Sequence, residues 1–174
     1  MKIIKIIAAL LALAMLSCFF VACESSEEDV DFDLPEREFY TVKASFQIKD
    51  STGKTVLEAI DYEYKGHSEP TILTVVENYL SVVVDYTCKI DKNNTITQIG
   101  GMKAGKGDYW GFVTNIVSKT DEKTGEVSVS LKDMSAINLS MEQINKYKSD
   151  GKMSETPVID GAEFTLILFV SEDD

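Results

Sequence analysis

The residues whose types and spacing could do chemistry are a glycine-rich run with lysines, a lone histidine, three cysteines and one tryptophan. Gly100-Gly101-Met102-Lys103-Ala104-Gly105-Lys106-Gly107 carries the spacing of a phosphate-cradling loop: Gly, four residues, then Gly-Lys. That chemistry also needs Ser or Thr next, to hold magnesium, and a helix after it. Gly107 stands there instead, and the chain enters a strand pattern, so the run is read as a flexible hairpin loop. His67 is the only imidazole, which excludes a usual zinc site. A Ser-His-Asp triad would require it, yet it lies in Gly66-His67-Ser68-Glu69-Pro70, the approach to a helix, and there is no GxSxG elbow. Cys88 sits in an apolar, β-branched stretch and reads as a small buried hydrophobe rather than a nucleophile. Asp29-x-Asp31-x-Asp33 has calcium-like spacing without the glycine and closing glutamate of an EF-hand. Carboxylates are too numerous for any pair to stand out as a glycosidase dyad. The chain is therefore expected not to be an enzyme and to hold no metal, and the sequence identifies no cofactor.

Charge narrows the partners. Among 174 residues, 17 basic groups face 29 acidic ones, a formal net charge of −12, and Arg37 is the only arginine. A nucleic-acid surface needs a basic face to displace counterions, so no nucleic-acid partner is expected. The 44% hydrophobic content permits a packed core.

The first residues read as an address. Lys2 and Lys5 precede an unbroken apolar run, Ile6–Leu16, followed by Ser17-Cys18-Phe19-Phe20-Val21-Ala22-Cys23. This is the pattern of a secretory signal, residues 1–22. A small residue before a cysteine at its end resembles a bacterial lipobox, and two cysteines compete. Cleavage before Cys18 would leave Phe19-Phe20-Val21 near the new terminus, whereas Glu24-Ser25-Ser26 follows Cys23 at once, so Cys23 is the expected lipidation site. Two acyl chains on it would anchor stably where one is marginal. The expected location is extracytoplasmic, with the membrane as a partner through the N-terminal lipid. An uncleaved anchor and an ordinary secreted protein are the alternatives. Residues 23–38 follow as an acidic tether: Glu24–Glu38 holds eight acids and one base, too charged to order by burial.

Residues 39–174 read as one domain. Tyr40–Lys49 alternates as a half-buried strand, Asp50–Lys54 turns, and Thr55–Tyr64 returns with poorer alternation, Val56, Ile60, Tyr62 and Tyr64 sharing a face. Ser68-Glu69-Pro70 reads as a helix start. Ile72, Val75, Val76, Tyr79 and Leu80 make one apolar helical face, expected to pack on the sheet under Val113, Leu166 and Leu168. Val82–Ile90 reads as a strand, as do Thr95–Ile99, Tyr109–Val117 and Glu163–Val170. Glu126–Leu131 alternates, and Ser140-Met141-Glu142-Gln143 is a capping box opening a short helix to about Lys148. The expected fold class is α+β: a β-grasp-like mixed sheet with one main helix on one face, plus an insert with a short helix.

Along Tyr109–Ile116, Tyr109, Gly111, Val113 and Asn115 share one face and Trp110, Phe112, Thr114 and Ile116 the other. If Val113 faces the helix, with Gly111 allowing its close approach, Trp110 and Phe112 point outward and form an exposed aromatic patch. Tyr109, Trp110, Phe112 and Asn115 are then the candidate ligand-binding residues. In the opposite arrangement Trp110 and Phe112 fill the core, as aromatic side chains commonly do.

A resemblance rests on three blocks: Asn94-Thr95-Ile96-Thr97-Gln98-Ile99-Gly100-Gly101, Trp110-Gly111-Phe112-Val113-Thr114-Asn115, and Val158-Ile159-Asp160-Gly161. Together they are similar to a bacterial domain-of-unknown-function family related to the small C-terminal β-domain of transcobalamin and intrinsic factor. The matching positions are Ile96, Ile99, Gly101, Trp110, Phe112, Asn115, Asp160 and Gly161, across residues 70–170. The chain departs from the pattern at Thr114, Ile116 and Ala162. The resemblance implies a β-grasp-like module of the kind common on Gram-positive surface lipoproteins. In the vitamin B12 carriers the corresponding domain closes over cobalamin held by a separate helical barrel, which this chain lacks. Two functions follow as expectations. One is a lipid-anchored module binding a small molecule or cofactor in a concave aromatic site. The other is a structural or adhesive surface module that meets a protein through a flatter patch of roughly 800 Å².

Overall fold

A computed structural model describes residues 38–171 of the chain. The signal segment, Cys18, Cys23 and all but the last residue of the acidic tether lie outside the described residues. No helix among the described residues is long and apolar enough to cross a membrane.

Strand β1 (Tyr40–Lys49) turns back through Asp50–Lys54 into β2 (Thr55–Gly66), its antiparallel partner. Residues Ile60 and Asp61 of β2 oppose Ser45 alone, a bulge in which Asp61 adopts φ +50° and donates its backbone N–H to the Ser45 hydroxyl at 3.0 Å. The bulge shifts the inward set by one residue. Leu57, Ala59, Tyr62 and Tyr64 pack inward, while Val56 and Ile60 are exposed, which corrects the face read from simple alternation.

Helix α1 (Ile72–Val82) crosses the sheet. Its cap is Thr71 rather than Ser68. The Thr71 hydroxyl accepts the Thr74 backbone N–H, and the Thr74 hydroxyl accepts the Thr71 N–H at 2.8 Å, so a threonine does the work usually given to Glu or Gln. The expected helical face is buried throughout: Ile72, Val75, Val76, Tyr79 and Leu80. The reading of Val82–Ile90 as one strand is corrected. Val82 still belongs to the helix, and the chain then unwinds through exposed Val83 and left-handed Asp85 before a short β3 (Cys88–Ile90).

Strands β3, β4 (Ile96–Ile99) and β5 (Met102–Lys103) form a small antiparallel sheet. The glycine-rich run thus begins as a hairpin. Further along, the Gly105 N–H is taken by the chain's own Asp108 carboxylate at 2.8 Å, an anion where a phosphate would have to sit. Strand β6 (Tyr109–Thr114) ends at Asn115, earlier than the expected Val117. The chain leaves the sheet as β7 (Ile116–Thr120), which pairs with β8 (Val127–Leu131) in a separate hairpin. Helix α2 (Met141–Tyr147) starts at the expected capping box, Ser140 with Gln143. Strand β9 (Ala162–Phe169) closes the fold.

The central sheet has the order β2-β1-β9-β6, with β1 and β9 parallel and both flanking pairs antiparallel. A hairpin, a crossing helix and a final strand inserted beside the first give the expected α+β, β-grasp-like arrangement. The strands are not buried alike on both faces. Against α1 lies the larger core, with Phe46, Phe164, Leu166, Leu168, Trp110 and Phe112. The opposite face is covered by the segment between β8 and β9: Ala136 and Ile144 pack there on Val113 and Ile167. Val113 therefore meets the short helix α2 and not α1, a second correction.

Candidate functional site

Trp110 and Phe112 point toward α1 and are 5% and 2% exposed. This corrects the outward-facing aromatic patch: the two rings belong to the core, and the reason is register. Trp110 pairs with Leu168 and Phe112 with Leu166, placing all four on the α1 face of the sheet. Gly111 serves the other face, where a side chain there would strike the Phe169 ring at 2.6 Å. Its missing side chain admits Phe169, which stacks on Tyr109 at 5.1 Å between ring centroids, and not the close helix approach expected for it.

Burial does not remove Trp110 and Phe112 from a site. Strand β6 is an edge of the sheet, and its outer side is only partly covered. The segment 148–153, just after α2, runs alongside it and is held at both ends. The Ser149 N–H donates to the Phe112 carbonyl at 2.9 Å. At the other end, the Met153 and Thr156 carbonyls accept the N–H groups of Leu73 and Ile72, which no intrahelical partner could satisfy at the start of α1. Between these fixed points the segment stands off the strand and leaves a cleft of about 360 Å³. Its walls are Tyr109–Phe112, Lys148–Met153 and Asn94–Ile96.

Three of the four candidate residues come together here: Tyr109, Trp110 and Phe112. Asn115 does not. It sits at the far end of β6, 5% exposed, where its side-chain carbonyl accepts the Glu163 N–H at 2.8 Å and its backbone carbonyl accepts the Lys132 N–H at 2.7 Å. Its role is to satisfy the backbone where the chain departs from the sheet. Tyr109 is 43% exposed at the rim, and Lys148 donates to its hydroxyl at 2.7 Å while lying 5.3 Å from its ring centroid and 4.9 Å from that of Phe169. Lys152 pairs with Glu155 at 2.6 Å in an exposed bridge. Sequence reasoning missed Lys148, Asp150, Lys152 and Met153; their place against β6 depends on a long-range contact that no local pattern announces.

Elsewhere, chemistry is subdued. Cys88 is half-buried and unbridged, and burial, with Glu77 nearby, pushes its thiol up to about 11, as a small structural hydrophobe should behave. His67 is exposed; its Nδ1 lies 3.1 Å from the Glu38 carbonyl and its ring meets Phe39 edge-on. Among the described residues no group of three His, Cys, Asp or Glu side chains is arranged to hold a metal ion.

No family model matches the chain, and no curated protein matches it. Among solved structures, the chain is similar to a candidate metal-binding protein from Ruminococcus gnavus, at 10% identity and a TM-score of 0.38, covering 75% of this chain and 98% of that one. It is also similar to haptocorrin in complex with Cbi, at 11% identity and a TM-score of 0.43, covering 77% of this chain and 26% of haptocorrin. The chain thus spans about a quarter of the haptocorrin chain.

Proposed function

We propose that this protein is a lipid-anchored, extracytoplasmic binding module, without catalytic activity, that takes a small molecule in the cleft between β6 and segment 148–153. The cleft carries the reading. Its volume of about 360 Å³ lies within the roughly 300–1,000 Å³ of small-molecule sites, which are typically apolar walls with a few placed polar groups. Tyr109, Trp110, Phe112 and Met153 supply the apolar wall, and Lys148, Asp150 and Lys152 the polar groups.

Native mass spectrometry of the protein purified from its own host tests this. A retained small-molecule mass, lost from a Gly151→Leu variant that crowds the cleft, is expected. Gly151 has no left-handed backbone to disturb, and a side chain there would approach Phe112. A retained mass of polypeptide size would favour the adhesive module instead. Anchoring is tested apart from binding. Cys23→Ala should release protein into the medium or leave the precursor uncleaved. Normal processing and membrane retention of Cys23→Ala, with loss for Cys18→Ala, would move the lipid to Cys18.

A further inference from the structure

The one buried side-chain nitrogen or oxygen without a hydrogen-bond partner among the described residues is Nε1 of Trp110. The fold is otherwise thorough. Buried Gln47, Lys49, Asn115 and Thr165 all have partners, including contacts reached across long stretches of chain. Leaving a buried donor unmade costs about 1–3 kcal/mol, and native structures leave few. The orphan lies on a residue that lines the cleft. We propose that the ligand of this cleft is a flat, ring-sized molecule that presents a carbonyl or carboxylate oxygen to the Trp110 Nε1–H. The inference rests on the cleft being a binding site and adds what the ligand must carry.

The chemistry follows from the wall. An indole N–H donates and cannot accept, so the partner atom is an acceptor. Tyr109 and Phe112 beside it offer ring surface against which a planar body packs. Lys148 and Lys152 outnumber Asp150 along the lining, so the cleft is locally positive in a chain of net charge −12. Such a balance favours an oxygen carrying negative charge over a cationic group.

Trp110 is the only tryptophan, so its indole N–H gives a single resonance in the ¹⁵N-labelled protein. Three probes of one shape separate the requirements: 2-naphthoate, 2-naphthamide and 2-methylnaphthalene. The two oxygen-bearing probes should bind about tenfold more tightly than the hydrocarbon, the usual value of one buried hydrogen bond. They should also move the indole proton downfield. Trp110→Phe should bring all three to the same affinity. If that variant does not fold, benzothienylalanine at position 110 keeps the ring shape and lacks the N–H. Equal affinities, with the Gly111 and Gly151 amides shifting and the indole proton unmoved, would overturn the inference and leave the cleft as a binding site. No shift of those amides with any probe at millimolar concentration would overturn both.

Discussion

The two faces of the central sheet are covered by different means. On the α1 face, large side chains do the work: Phe46 stacks on Phe164 with ring centroids 4.9 Å apart, and Leu80, Ile72 and Val76 are fully enclosed above them. On the other face, four small or branched residues, Val113, Ala136, Ile144 and Ile167, form a smaller core. Around it runs a set of buried polar contacts. Gln47 donates to Glu58 and Asn138 and accepts the Asn138 N–H, Thr165 donates to the Ala136 carbonyl at 2.6 Å, and Lys49 reaches the Thr55 hydroxyl at 3.1 Å. One face draws its stability from area removed from water, the other from fitting an irregular segment to fixed donors and acceptors. The largest expected effect therefore belongs to the α1 face. Leu80→Ala should lower stability by about 2–5 kcal/mol in urea titration. A loss under about 0.5 kcal/mol, typical of surface sites, would break the comparison at its stronger side.

On the second face the sensitive positions are polar. Thr165→Val keeps the shape and removes the hydroxyl, leaving the buried Ala136 carbonyl without that donor. The expected cost is about 1–3 kcal/mol by equilibrium unfolding. A neutral or stabilising result would show that the segment around Ala136 settles by packing alone, and the two faces would then differ only in size.

The sequence made the α1 face readable because its signals are local. The spacing of Ile72, Val75, Val76, Tyr79 and Leu80 marks a helix, and the alternation of Ala44, Phe46 and Ile48 marks the strand beneath it. The other face was hidden by its own polarity. Gln47 and Lys49 read as solvent-facing, yet they are 2% and 6% exposed because the segment between β8 and β9 lies over them. Strand β6 is apolar on both sides, so alternation alone could not say whether Val113 or Trp110 faces α1. The Asp61 bulge and the helix end at Val82 were also illegible, one being a register shift and the other a β-branched run that reads as strand. Of the candidate site, the aromatic wall on β6 was visible and the opposing wall, 148–153, was not. One local signal on the hidden side did survive, the Ser140–Gln143 capping box. Its removal should be modest: Ser140→Ala costs about 1 kcal/mol. Hydrogen exchange should quicken first at the amides of α2, since Ile144 is the only buried residue that helix contributes. Equal quickening across α1 would mean the two faces unfold as one.

The smallest effect should be indifferent to the difference between the faces. Three exposed turns use an aspartate to gather nearby donors: Asp50 in the β1–β2 hairpin, Asp91 between β3 and β4, and Asp121 between β7 and β8. Each carboxyl is held below its ordinary value. Asp50 is lowered first by the Thr52 hydroxyl and then by the N–H groups of Lys54 and Thr52. Asp91 is lowered by the N–H groups of Thr95 and Asn93, and Asp121 by those of Lys123 and Thr124. A group depressed in the fold contributes stability that is complete above its unfolded value, about 3.9, and that is lost as pH falls through the folded value. Acid below about pH 4 should therefore loosen all three turns, with faster exchange at Lys54, Thr95 and Thr124, and leave the turns unchanged from pH 5 to 8. Asp91→Asn, which keeps an acceptor oxygen without the charge, should remove the acid response at Thr95 and leave those at Lys54 and Thr124 in place. If acid instead freed the Asp121 turn together with α2 and spared the other two, the segment over the second face would be melting as a unit, and the weaker of the two faces would be set by charge and not by its polar fit.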